Sequence, residues 1–307
     1  MTILDPSAPP GAVALDGAEP GADLGAARPL RVDVWRRFRR NRLAMVGLVV
    51  LALLVLAAIF APLIAPYDYD QRTPGASALS PDLFGDHRFG TDVAGYDVFS
   101  RVVFGARVSL TIGFLATAIA LSIGMLFGSV AGFFGGWIDT VLMRLTDIFL
   151  AIPYIVLAIA IATVFGRSQN SIILVLGFTG WLGVCRIVRA SFLSLKELEY
   201  VEAAHALGFS RWRIMFRHIL PNALQPIIVY GTIAIGSVIL SEAALSFLGV
   251  GPQFPTPAWG LMVAEGAGQI TNAPHLLFFP GMAIFITVLS FVFVGDGLRD
   301  ALDPKLK

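Results

Sequence analysis

VSLTIGFLATAIALSIGMLFGSVAGFF, residues 108–134, contains no charged side chain. A helix needs about 20 apolar residues to cross the hydrocarbon core of a bilayer, and this run is longer than that. It therefore reads as a membrane-spanning helix. Inside it, Ala116, Ala120, Gly124, Gly128 and Gly132 recur at four-residue steps, which places them on one stripe. Small residues on a stripe let a second helix approach closely in lipid. Spacing leaves open whether that second helix belongs to this chain or to another membrane subunit.

Outward from this run the same character repeats. Residues 43–64, 148–165, 171–186, 226–248 and 276–295 are also apolar. Only Arg186, at the end of one block, and Glu242, inside another, carry charge. The 307-residue chain is 56% hydrophobic and 14% charged, against about 45–50% and about 25% in soluble domains. An ordinary soluble enzyme is excluded. The expected fold is an all-α polytopic membrane protein with six transmembrane helices. Of the 22 Lys and Arg residues, only Arg72, Arg88, Arg101, Arg107 and Arg167 fall on one side of these spans. Positive charge favours the cytoplasmic side, so both termini are expected there. The block at 43–64 is longer than the apolar core of a signal peptide and reads as a retained anchor.

The expected organisation is a disordered tail over residues 1–42 with a basic juxtamembrane end, an anchor helix over 43–66 and an external loop over 67–107. A five-helix core over 108–295 follows, then a C-terminal tail over 296–307. Within the core lie a cytoplasmic loop at 189–221 and an external loop at 249–275. Pro153, Pro226 and Pro280 fall in or at the ends of membrane helices and favour kinks there.

The cytoplasmic loop reads KELEYVEAAHALGFSRWRIMFRHILPNALQP from Lys196. Good helix formers run to Leu207, and Gly208 breaks the helix. Ser210 caps a second short helix from Arg211, which Pro221 ends. Ala203 and Ala204 offer a small surface beside Glu202, where a partner backbone can come close. The competing reading is an amphipathic segment on the headgroups, with Arg211, Arg213 and Arg217 facing lipid phosphate.

Glu202, Ala203, Ala204, Gly208, Leu220 and Pro221 together resemble the EAA loop of ABC-importer permeases, with His218 where isoleucine is usual. WRRFRRNRLAMVGLVVL and FGTDVAGYDVFSRVVFGARVSL resemble the N-terminal part of the oligopeptide and dipeptide permeases, with Tyr96 in place of arginine. SEAALSFLGVGPQFPTPAWG and FFPGMAIFITVLSFVFVGDGLRDALDPKLK resemble that family's last third. The resemblance covers nearly all of the chain after the tail. It points to the second, C-type permease subunit of the dipeptide/oligopeptide/nickel family, with a type I ABC-importer permease fold. It implies that Glu202, Ala203, Ala204, Gly208, Arg217, Leu220 and Pro221 dock on an ATP-hydrolysing subunit. It also implies a second permease, one or two P-loop ATPases that bind ATP and Mg, and an outer substrate-binding protein. Dipeptides or oligopeptides are the implied cargo; nickel complexes or glutathione are alternatives.

Catalytic and metal-binding chemistry is not expected. The three lysines, Lys196, Lys305 and Lys307, are none of them preceded by glycine, so no phosphate loop exists. The four histidines lack metal-ligand spacing, and Cys185 reads as a packing residue. The acidic residues of the outer loop read as turn formers, with Asp97 capping the helix VFSRVVFG. No basic nucleic-acid surface is evident; lipid is the expected environment. Glu242, roughly 24 Å above Pro226 at 1.5 Å per residue, is a candidate for the translocation pathway or a hydrogen-bonded carboxylate near the membrane boundary. A self-sufficient secondary transporter or channel is the remote alternative, and it would need more intramembrane ionisable groups than Glu242.

Overall fold

A computed structural model describes residues 30–303. Most of the expected disordered tail, and the last residues of the C-terminal tail, lie outside that range. Its helices are α1 (Leu30–Arg40), α2 (Arg42–Ile59), α3 (Ala61–Ile64), α4 (Val98–Phe134), α5 (Gly136–Leu150), α6 (Tyr154–Phe165) and α7 (Gln169–Leu195). Then come α8 (Glu199–Ala206), α9 (Arg211–Arg213), a π-helical turn (Ile214–Ile219), α10 (Leu220–Phe247), α11 (Trp259–Ala267) and α12 (His275–Leu302). No strand forms among the described residues; two isolated bridges, Arg72 to Tyr96 and Thr91 to Asp97, tie the segment between α3 and α4.

Five helical stretches are long and apolar enough to cross a membrane, and α5 with α6 makes a sixth if that pair is one span. The pair is bent by 87°. The bend falls before Pro153, because proline keeps the preceding residue out of the helical region. The kink expected at Pro153 in the span at 148–165 is thus a full break between two helices.

Three other boundaries move. The expected tail at 1–42 ends in a helix, α1, rather than in irregular chain. Phe38 of α1 packs against Ala44 and Ala301, and Arg37 Nη1 donates to the Asp303 carbonyl at 3.0 Å. The external loop does not reach 107, since α4 begins at Val98 with Asp97 as its cap, accepting from the Ser100 N–H at 2.8 Å. Arg107, now inside α4, donates to the carbonyls of Ala58 and Ile59 at 3.0 Å each and so closes the end of α2. Pro221 ends nothing. The helix runs on through it, and Leu220 N–H reaches back five residues to the Met215 carbonyl. Proline lacks an N–H and crowds the carbonyl four residues back; the wider π turn just before it relieves that conflict. The Asn222 side chain donates to the His218 carbonyl at 2.7 Å.

The small-residue stripe is spent within the chain. A Cβ on Gly128 would lie 2.6 Å from the Cys185 carbonyl oxygen, and one on Gly132 would lie 2.6 Å from Phe192 Cβ. Gly124 likewise meets Val184, while Ala116 and Ala120 are buried. The second helix is therefore α7. Cys185 is buried there beside Trp181 and Leu182, as a packing residue.

Candidate functional site

At one end of the bundle, two short helices meet at a glycine. The chain leaves α7 at Leu195, extends through Leu198 and forms α8 only from Glu199, three residues later than its composition suggests. Gly208 takes φ +75°, a conformation that a side chain disfavours. Ser210 then caps α9, accepting from the Arg213 N–H at 3.4 Å.

A buried cluster holds this turn in place. Val201 and Ala204 of α8 pack on Ile214, Met215 and Ile219, which pack in turn on Val188 and Phe192 of α7. Ala204 is therefore a core residue and cannot be part of an outward docking surface. α8 has a 3.6-residue repeat, so Val201 and Ala204 share its inner face while Glu202 and Ala203 face outward. Gly208, Arg217 and Pro221 are also exposed, and Leu220 is half-buried. Around them stand exposed apolar side chains absent from the motif reading: Leu207, 73% exposed, with Trp212 and Phe216. Their signal is apolar residues interleaved with Arg211, Arg213 and Arg217. Trp212 stacks on Phe216 at 5.9 Å between centroids and meets Phe134 of α4 edge-on at 5.6 Å. The surface is apolar with charged edges.

The opposite end is organised by buried polar groups. Asp97 takes His87 Nδ1 at 2.9 Å in addition to its capping bonds. Arg101 Nη1 lies 2.6 Å from Asp92 Oδ2 and 3.3 Å from Glu265 Oε2. Burial, followed by the charge of Asp92, pushes the Glu265 carboxyl above the usual carboxylate range, and Arg101 pulls it back in part. Asp92 also closes its own turn, accepting from Ala94 and Tyr96 N–H groups at 2.9 Å each. Among the described residues no three His, Cys, Asp or Glu side chains converge as a metal site would require.

Glu242 is far from the glycine turn and faces protein. It is 0% exposed, and its carboxylate accepts from Ser246 Oγ at 2.7 Å and Ser109 Oγ at 3.3 Å. In this chain its carboxylate is enclosed by protein and hydrogen-bonded.

Comparison with known proteins decides the family. Residues 124–307 match the family described as binding-protein-dependent transport system inner membrane component. The chain belongs to that family. Residues 30–81 match the N-terminal transmembrane domain of oligopeptide transport permease C. The dipeptide transport system permease protein of Alkalihalophilus pseudofirmus is 42% identical over 99% of this chain and 96% of its own length. The oligopeptide transport system permease protein of Bacillus subtilis is 44% identical over 90% of each chain. The glutathione transport system permease protein of Pectobacterium atrosepticum is 40% identical over 93% of this chain and 94% of its own. A solved inward-facing structure of the MetNI methionine ABC transporter shares the fold, with a TM-score of 0.53, 20% identity, and coverage of 66% of this chain and 97% of that one.

Two family-motif departures have local explanations in this inner-membrane component. His218 stacks on Phe209 at 5.6 Å between centroids, so its ring contacts the chain's own turn. Tyr96 places its ring 5.7 Å from the Arg101 guanidinium, beside Phe254 at 5.5 Å, and the two rings meet edge-on at 5.3 Å.

Proposed function

We propose that this chain is the second permease subunit of an ATP-binding-cassette importer and moves dipeptides or oligopeptides inward. The observation that carries the reading is the exposed helix–glycine–helix turn on a buried base. Glu202, Ala203 and Gly208, with Arg217, Leu220 and Pro221 behind them, form the docking face for a P-loop ATPase. The packing of Val201 and Ala204 on Ile214 and Met215 lets that face move as one body with α10. ATP binding and hydrolysis in the partner then bias alternating access through differential affinity for the two states.

The partners on this reading are a second, homologous permease, one or two ATPase subunits holding ATP and Mg, and an outer substrate-binding protein. The chain itself supplies no cofactor site and no catalysis. Both termini and α8 lie in the cytoplasm, in keeping with the distribution of arginine, and the protein sits in a bacterial inner membrane. Peptide cargo rests on the two peptide-permease relatives; the glutathione relative makes that small peptide the second reading, with nickel complexes after it.

The test is capture of the chain from native membranes in mild detergent, then reconstitution of the captured complex. Co-purification of a second six-span permease with P-loop ATPases, and ATP-dependent peptide uptake, are expected. A homo-oligomer without an ATPase overturns the reading.

A further inference from the structure

α4, α7 and α10 leave a cleft of about 150 Å³ between them. Thr117, Tyr230, Ser237 and Ser241 contribute hydroxyls to it, among largely apolar walls that include Ala120, Leu121, Val184, Ile233 and Val238. The Tyr154 hydroxyl approaches from the far side, beside Ser241 and Thr179. Among the described residues lining the cleft, none is charged.

Thr117 distinguishes this cleft from incidental helix packing. A helical Ser or Thr hydroxyl normally bonds back to a carbonyl three or four residues earlier. Ser122, Thr179, Thr232, Ser241, Thr287 and Ser290 all do so. Thr117 does not: it is 3% exposed and its Oγ1 has no hydrogen-bond partner. A buried polar atom without a partner is rare and calls for an explanation. Thr117 stands near the midpoint of α4. Gly183 extends the arrangement, since the Tyr230 hydroxyl rests 3.0 Å from where a Cβ would stand, so any larger residue would push that hydroxyl away.

We propose that the cleft edged by Thr117, Tyr230, Ser237 and Ser241 is a transient binding step for the uncharged backbone of the transported peptide. Hydroxyls both donate and accept, so they match alternating amide N–H and C=O groups. Without a charged group the site does not select peptide side chains by charge. It also holds its ligand weakly enough to release it, as a pathway requires. This inference rests on the peptide-importer reading above.

The test uses the whole importer, with its partner permease, ATPases and outer binding protein, in sealed vesicles. Uptake of labelled Ala-Ala-Ala, Ala-Lys-Ala and Ala-Glu-Ala is measured for Thr117→Val, Tyr230→Phe and Ser237→Ala. Each variant removes a hydroxyl at nearly constant shape. The expected result is an about twofold to tenfold fall in kcat/KM, the size of one lost hydrogen bond. That fall is similar for all three peptides, and the subunit composition of the purified complex is unchanged. Separately, Ser237→Cys in a Cys185→Ala background should react with a water-soluble thiol reagent, and Ala-Ala-Ala should slow the reaction. Unchanged uptake, or an effect confined to one charged peptide, overturns the proposal. Loss of the partner permease from the Thr117→Val complex also overturns it, because the hydroxyl would then be glue between subunits. If the wild-type complex takes up none of the peptides, the peptide reading fails first. The thiol reaction still decides the cleft, since an unreactive Ser237→Cys means it is not an aqueous path.

Discussion

Ser109 and Glu242, 133 residues apart in sequence, meet at 3.3 Å with both side chains buried. The same serine oxygen accepts the backbone N–H of Trp259 at 3.3 Å, so one contact joins α4, α10 and α11. Trp259 Nε1 donates to the Val102 carbonyl at 2.9 Å, and Gly105 leaves room for its ring. The carboxylate is thus an internal rivet between these helices. Glu242→Leu strands the Ser109 and Ser246 hydroxyls in a dry site and should cost about 1–3 kcal/mol. Thermal unfolding of the purified complex should show that loss, with a smaller one for Glu242→Gln, which keeps a carbonyl acceptor. Uptake per folded Glu242→Gln complex should match the wild type. A lower uptake at unchanged stability would return Glu242 to the pathway.

Arg101 carries the next constraint. It is buried, tied to Asp92 and Glu265, and its Nε and Nη2 have no partner. Removing one member of a buried ion pair typically costs about 3–5 kcal/mol, and without Asp92 the more exposed Glu265, 3.3 Å away, would be the counter-charge left to Arg101. Asp92→Asn should therefore lower the unfolding temperature sharply, while replacement of exposed Asp68 should leave it unchanged.

Glu265 adds a pH signature to the same site. Its folded-state pKa is raised, by burial first and then by Asp92. The unfolded chain titrates near the ordinary value of about 4.3. A raised pKa favours the protonated folded form, so the associated stability is full below the unfolded value and is lost as pH rises through the folded one. Glu265→Gln mimics the protonated form. It should unfold at the same temperature as the wild type near pH 4 and at a higher one at neutral pH, measured by pairwise thermal scans. A gap that is constant with pH would refute the assignment.

The spans were legible in the sequence because absence of charge is a strong constraint in residues 108–134 and in the other apolar blocks. Their ends were not. Arg107 looks like a loop residue and Arg101 like part of a short helix in the external loop, yet both lie inside the long α4, where Asp92, Glu265 and the last carbonyls of α2 answer their charges. Those partners are tertiary and leave no local periodicity. Pro221 reads as a stop because a π turn has no sequence signal of comparable strength. Glu242 reads either as a pathway carboxylate or as a hydrogen-bonded one until Ser109 and Ser246 are seen around it. Thr117 looks like any helical threonine; its missing back-bond is visible only in three dimensions.

The stripe on α4 makes a steric prediction. Gly128 and Gly132 face backbone of α7, with the Cys185 and Arg189 carbonyl oxygens 2.6 and 2.8 Å from any added Cβ. Backbone cannot rotate away as a side-chain tip does, so Gly128→Ala should cost about 1–3 kcal/mol through overpacking. Gly268→Ala meets nothing within 4 Å and serves as the control. Equal thermal midpoints for the two variants would mean that α4 and α7 are not packed this closely.

Ala203 and Ala204 separate docking from folding at adjacent positions. Ala203 is exposed on α8, whereas Ala204 is buried against Ile214, Met215 and Ile219. Ala203→Glu places a charge on the proposed ATPase-docking face. Exposed substitutions usually stay within about 0.5 kcal/mol, so the thermal midpoint should hold while peptide-stimulated ATP hydrolysis falls at least tenfold. Ala204→Glu instead buries an unpaired carboxylate among apolar side chains, a severe cost, and should remove folded protein altogether. Ala204→Gly removes one buried methyl and weakens α8 by roughly 1 kcal/mol without touching the outer face, so it should lower the midpoint slightly and keep coupling. If Ala203→Glu hydrolyses ATP in step with transport as the wild type does, the exposed face of α8 is not where the ATPase docks.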